Sequence, residues 1–192
     1  MKLVSRYHPL LVLLHWILAV LVIASLALGA LVMVKIPNAD PMKVHALRNH
    51  LLGGALVLVL TLARLMLRVR TQHPAPASAD HPWLDWLAWA SHRLMYVAVL
   101  GQATSGLVLA LQTNLPGIVF GGAGALPVDF WVYPMRTMHY LFSRALMALI
   151  ALHVTGAIYH TLFLRDGLLR RMFFGRGSSR PPIECFVSGV RA

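Results

Sequence analysis

Ten histidines stand in this chain, and where they fall is its chief chemical signal. His8, His45, His73 and His81 lie in or near polar connections, where a solvated ring needs no explanation. The other six, His15, His50, His92, His139, His153 and His160, lie within long apolar runs or close to their ends. Imidazole is neutral near pH 7, binds metals through either ring nitrogen, and carries protons. His139 and His153 are 14 residues apart. On a helix that is close to four turns, with an offset of about 40° and a separation of ~21 Å. The two rings therefore share one face at two depths. His15 belongs to the same half of the molecule as His153, and His50 to the same half as His139. Ionisable groups in apolar spans are costly and are kept for function. Four at two matched depths point to two bis-imidazole metal sites stacked along a bundle.

The carboxylates narrow the metal. No Asp or Glu lies in the interior of an apolar run, and a site for a bare cation would normally want them. Iron in a porphyrin has its charge largely offset by the macrocycle, so two b-type haems fit better. The single cysteine, Cys185, excludes covalent C-x-x-C-H attachment and an internal disulfide framework. Any haem is held by its axial histidines and its pocket. Gly53, Gly54, Gly106 and Gly156 supply room for a flat ring. A haem-free transporter or membrane scaffold is the reading from another class.

The elements that must position these residues are four apolar runs, roughly 10–34, 50–67, 84–111 and 138–164. A spanning helix needs ~20 mostly apolar residues, and backbone groups in lipid must pair internally. The predicted fold is all-α: an integral-membrane four-helix bundle, up-and-down, in one domain over 1–174. The tail 175–192, rich in Gly, Ser, Pro and Arg, is expected to be disordered. Hydrophobic residues make up 58% of the 192, charged residues only 12%, against a net charge of +11. Mean hydropathy is +0.70. That balance excludes a nucleic-acid binder and indicates basic loops on a membrane protein. The first run is too long for a secretory signal core of ~7–15 residues. Twelve Lys and Arg gather at the end that carries both termini and four (Lys35, Lys43, Arg48, Arg136) at the other. Both termini are thus expected in the cytoplasm, and the outer-side loop 113–136 is expected to cap the bundle.

The motifs together resemble the bacterial di-haem cytochrome b561 family, which includes superoxide oxidases. They are Leu14-His15-Trp16; His50-Leu51-Leu52-Gly53-Gly54 followed by Arg64-Leu65; and His92 with Tyr96 and Gly106. Further on come Val119-Phe120-Gly121 to Leu126-Pro127, then His139, His153 and His160, Arg165-Asp166 and Leu168-Leu169-Arg170. The resemblance runs to about Phe174. It implies axial ligation by His15 and His153 in the cytoplasmic half and by His50 and His139 in the periplasmic half. It also implies a bacterial inner-membrane location and oxidation of superoxide coupled to reduction of ubiquinone. A quinone-linked cytochrome b subunit serving a soluble periplasmic redox protein is the alternative. His45 is a rival ligand weakened by its place ahead of the apolar run.

Other candidates surround the ligands. His92, His160, Arg64 and Arg68 gather at the cytoplasmic side, where they could hold a quinone headgroup or relay its protons. Interfacial anchoring and propionate pairing are the plainer alternatives. Arg48, Gly54 and Arg136 are candidates for the outer haem pocket, and with Lys35 and Lys43 the arginines would steer a small anion. Arg144 stands in the last run, either pairing a propionate or snorkelling outward. Trp83, Trp86, Trp89, Trp131 and Tyr133 read as an aromatic belt facing lipid headgroups.

Overall fold

The structure, a computed structural model, describes residues 6–74, 81–122 and 124–173. The tail 175–192, with Cys185, lies outside the described residues, as does most of the Pro/Ala-rich loop before Pro82. Four long helices cross the molecule: α1 (Pro9–Met33), α2 (Pro41–Arg70), α3 (Pro82–Gln112) and α5 (Pro134–Leu164). A short α4 (Leu115–Gly121) joins the last two, and a 3-10 turn follows over Leu168–Met172. No strand occurs among the described residues. All four long helices are long and apolar enough to cross a membrane, and the chain is a membrane four-helix bundle.

Each long helix opens on a proline, whose fixed φ and missing N–H suit a first helical position. The cap before α2 adds a side chain: the Asp40 carboxylate accepts from the Met42 N–H at 2.8 Å. This start explains why α2 begins nine residues ahead of the apolar run at His50. Hydropathy registers side-chain polarity, and Lys43, His45 and Arg48 mask a first stretch that the Asp-Pro cap nucleates. His45, expected in a connection, therefore lies on α2, and it is exposed. The last turns of α1, Leu28–Met33, and of α5, His160–Leu164, widen to π-helical geometry. Left-handed backbone at Arg165 (φ 50°) and Gly167 (φ 70°) then turns the chain into the 3-10 segment.

Packing ties the helices unevenly. α3 lies along α5, α1 along α2, and α2 against α3, while no comparable contact joins α1 or α2 to α5. Glycine sets the α3–α5 approach. A Cβ on Gly101 would stand 2.5 Å from the Phe142 ring, and one on Gly106 would stand 2.9 Å from His139 Cε1. Close approach at small residues is how helices associate where lipid removes the hydrophobic drive. Leu47, Ala110, Leu115 and Val119 form a compact core under α4, so the 113–136 connection caps one end of the bundle. Most other large apolar side chains face outward: Val20, Leu31, Val59, Val97 and Leu141 are all exposed, as lipid-facing residues would be. The opposite end carries the start of α1 and the 3-10 turn that follows α5. There Tyr7 meets His73 edge-on at 6.2 Å, and the Trp16 indole N–H donates to the Met172 carbonyl at 2.8 Å.

Candidate functional site

The cleft left between the α1–α2 pair and α5 is lined by histidines at two levels. At the α4 end, His50 of α2 faces His139 of α5, ring centroids 5.9 Å apart and planes at 82°. Toward the terminal end, His15 of α1 faces His153 of α5 at 6.2 Å and 70°. Two imidazoles sharing one metal through bonds of ~2 Å each would have centroids about 6 Å apart. Both pairs meet that spacing.

Hydrogen bonds define the chemistry of the first pair. His139 Nδ1 lies 3.0 Å from the Gln102 backbone carbonyl, an acceptor only, so Nδ1 carries the proton. Ser105 Oγ is 3.3 Å from the same nitrogen. Nε2 then keeps its lone pair, and it faces the Gln102 side-chain amide at 2.9 Å. A ring held through its protonated nitrogen and keeping a lone pair at the other is the usual state of a metal-binding histidine; here the Gln102 amide N–H caps that lone pair. His50 Nδ1 is buried with no partner among the described residues. Gly106 packs against the His139 ring and Gly29 lies beside His50, while a Cβ on Gly54 or Gly156 would meet nothing within 4 Å. The residues present thus fit a flat metal macrocycle: paired lone-pair donors, an orphaned ring nitrogen, and open space over two glycines.

The second level differs. His92 of α3 also approaches His153, with centroids 5.0 Å apart and planes at 90°, while its Nδ1 donates to the Ala88 carbonyl at 2.6 Å. Arg64 of α2 donates through Nη1 to the Tyr96 hydroxyl and lies over that ring. The four residues expected to cluster at this end therefore separate. His92 and Arg64 belong with the His15–His153 pair. His160 turns away and pairs with Asp166 at 2.6 Å. No contact of the Arg68 side chain with His15, His92, His153 or His160 is seen among the described residues; its charge is felt at Arg64.

The His160–Asp166 pair joins the last turn of α5 to the turn that follows it. The Asp166 carboxylate also accepts the Leu168 N–H at 2.9 Å. Partial burial works to raise the Asp166 pKa, but the bonds from His160 and Leu168 outweigh it and hold the group below its usual range.

The basic residues at the α4 end divide by task. Lys43 is buried and donates to the carbonyls of Met33 and Ile36, closing the end of α1. Arg48 donates through Nε to the Val119 carbonyl at 2.8 Å and so docks α4. Both charges are committed to structure. Arg136 sits over Trp131 at 4.4 Å and within electrostatic reach of both His50 and His139. Arg144 is exposed. It is nine residues from His153, half a helical rotation away, and is not brought to the cleft.

Sequence alone does not single out Gln102, Ser105 or Thr61, and gives Asp166 only within the Arg165-Asp166 motif, with no role of its own. A glutamine in the middle of a span is a polar group in lipid and was a readable signal. Asp166 gains meaning only through the left-handed turn at Arg165.

The chain is similar to known proteins. The family model described as prokaryotic cytochrome b561 matches residues 6–175. Among curated proteins, the chain is similar to "Cytochrome b561 homolog 2" of Escherichia coli (strain K12), 27% identical over 184 residues, covering 91% of this chain and 94% of that protein.

Proposed function

The chain belongs to the prokaryotic cytochrome b561 family, hence to the membrane electron-transfer proteins that use b-type haem, and from that premise we propose that it carries two such haems and moves electrons across the bacterial inner membrane to a quinone. The observation that carries this reading is the stacking of two histidine pairs at two depths, at 5.9 and 6.2 Å. His50 and His139 would hold one haem, His15 and His153 the other. When bound, b-type haem supplies one-electron chemistry between ferric and ferrous iron. The chain's own part is to hold the rings. The Gln102 carbonyl keeps the His139 proton on Nδ1, and α4 with its docked Arg48 closes the end above that pair. The bias of Lys and Arg supports an orientation with the start of α1 on the cytoplasmic side and α4 outside.

Ubiquinone is the proposed acceptor and superoxide the proposed donor. Two superoxide anions each give up one electron and become dioxygen. The quinone takes those two electrons with two protons and becomes quinol. The positive charge that supports an anionic donor is narrower than composition indicates, because Lys43 and Arg48 are engaged in structural bonds and Arg136 is the arginine nearest the outer pair.

The deciding experiment is a redox titration of the visible spectrum of the purified protein. Two one-electron b-type transitions are expected, and His50→Ala and His153→Ala should each remove a different one. A single transition, or one that survives both substitutions, sinks the two-haem reading. Turnover of superoxide with quinone by the purified chain alone separates a free-standing oxidoreductase from a subunit that needs a soluble partner.

A further inference from the structure

α2 carries a polar stripe whose partners are missing. Thr61 is 3% exposed, and its hydroxyl has no hydrogen-bond partner among the described residues. A buried helical threonine ordinarily donates to the carbonyl four residues back. Thr104, Thr113 and Thr161 do so here, at 2.7–2.8 Å; Thr61 does not. One turn on, Arg64 spends Nη1 on Tyr96, while its Nε is buried and has no partner among the described residues. Burying polar N–H and O–H groups without partners is costly, and such groups normally meet a ligand or water.

Helical arithmetic places both on the histidine face. Thr61 is 11 residues and Arg64 14 residues beyond His50, offsets of about 20° and 40° from its direction. α2 and α5 run the same way through the bundle, and the His50–Arg64 interval equals the His139–His153 interval. Arg64 therefore occupies, beside His153, the place that His50 occupies beside His139. Consistent with that, its charge is felt at both His15 and His153. No Asp or Glu lies in the interior of α2, α3 or α5 to neutralise it, and among the described residues Arg64 forms no ion pair.

We propose that Thr61 and Arg64 form an anion clamp that receives a carboxylate of the porphyrin held by His15 and His153. This rests on the two-haem reading. A hydroxyl and a guanidinium N–H one turn apart suit the two oxygens of one carboxylate, and Tyr96 fixes the guanidinium from the other side. Among the four residues assigned from sequence to a quinone headgroup, Arg64 is thereby moved to the cofactor.

The test uses the haem-loaded protein in detergent, with the inner site isolated in a His50→Ala background. Removing a cation beside a porphyrin favours the ferric form. Arg64→Gln should lower the inner midpoint by at least tenfold in the oxidised-to-reduced ratio, ~59 mV for a one-electron couple. Arg64→Lys should restore most of that shift, and the outer haem, read in a His15→Ala background, should not move. Thr61→Val keeps the shape and removes the hydroxyl; it should speed loss of the inner haem to apomyoglobin several-fold. It also serves where Arg64→Gln does not fold. Unmoved inner potential with unchanged haem loss overturns the clamp. A raised KM for quinone with both potentials unmoved also overturns it and returns Arg64 to the quinone site. A parent protein with a single haem that survives both His15→Ala and His153→Ala defeats the two-haem reading first, before any Arg64 variant is made.

Discussion

His139 Nδ1 and the backbone carbonyl of Gln102 lie 3.0 Å apart across the α3–α5 interface. The contact links a structural fact, the close approach of two helices, to a chemical one, the tautomer of a ring. Gly106 makes the approach. An alanine Cβ there would fall 2.9 Å from His139 Cε1 and 3.1 Å from Nδ1, so the ring must move away from Gln102 and Ser105. Gly106→Ala should destabilise the bundle by about 1–3 kcal/mol, the usual cost of overpacking, and lower the haem content per chain. Denaturation followed by haem absorbance checks both. An unchanged haem content would mean that the ring's position is not set by this contact.

Gly54 gives the opposite expectation. A Cβ there meets nothing, and alanine in a helix interior is favoured over glycine by ~1 kcal/mol. Gly54→Ala should leave the haem-free chain at least as stable as the parent. If the open space is the bed of a macrocycle, the same methyl should weaken haem retention. Stability and haem loss moving in opposite directions is the expected signature, read by thermal melting and by transfer of haem to apomyoglobin.

Much of this arrangement is legible in the sequence, for physical reasons that can be named. Spans are long and composition-driven, so hydropathy finds all four. Histidines 14 residues apart on a helix must share a face, so depth alone brings His139 level with His50 and His153 level with His15. What hydropathy cannot see is where polar side chains go. Lys43 and Arg48 look like free charge and are in fact bonded to carbonyls of α1 and α4. His160 and His92 look like neighbours from their shared end, yet His92 lies on His153 and His160 on Asp166. Those choices depend on the π-widened end of α5 and the left-handed Arg165, neither of which has a strong sequence mark.

Arg144 illustrates the same limit and yields a clean control. Its exposure, half a rotation from His153, favours the outward, snorkelling arrangement over propionate pairing. Arg144→Gln should leave both midpoint potentials and the haem content unchanged. A shift in either haem, seen in a redox titration, would show that the side chain reaches a propionate after all.

The His160–Asp166 pair sets an expectation for pH. The carboxyl has its folded pKa held below the ordinary value of 3.8, with burial opposing and the His160 and Leu168 bonds prevailing. A depressed carboxyl contributes stability that is complete above its unfolded pKa and is lost as pH falls through the folded one. The pair should therefore be intact from neutral pH down to about 4 on the carboxyl's account and fail only below that. Because the site is near the surface, its worth is about 1 kcal/mol at most. Asp166→Asn should lower the melting temperature slightly at pH 7 and at pH 5, with the difference from the parent shrinking as the pH falls below 3.8. The Leu168–Met172 turn, anchored to Trp16 through the Met172 carbonyl, should loosen with it, so trypsin should cut after Arg170 or Arg171 faster in the variant at pH 8. Equal cleavage rates and equal melting at pH 7 would show that the turn is held by Trp16 and Phe173 alone. If the dyad also passes protons to quinone, Asp166→Asn should slow quinone reduction while both haem spectra stay intact, a loss that the 1 kcal/mol of local stability cannot produce.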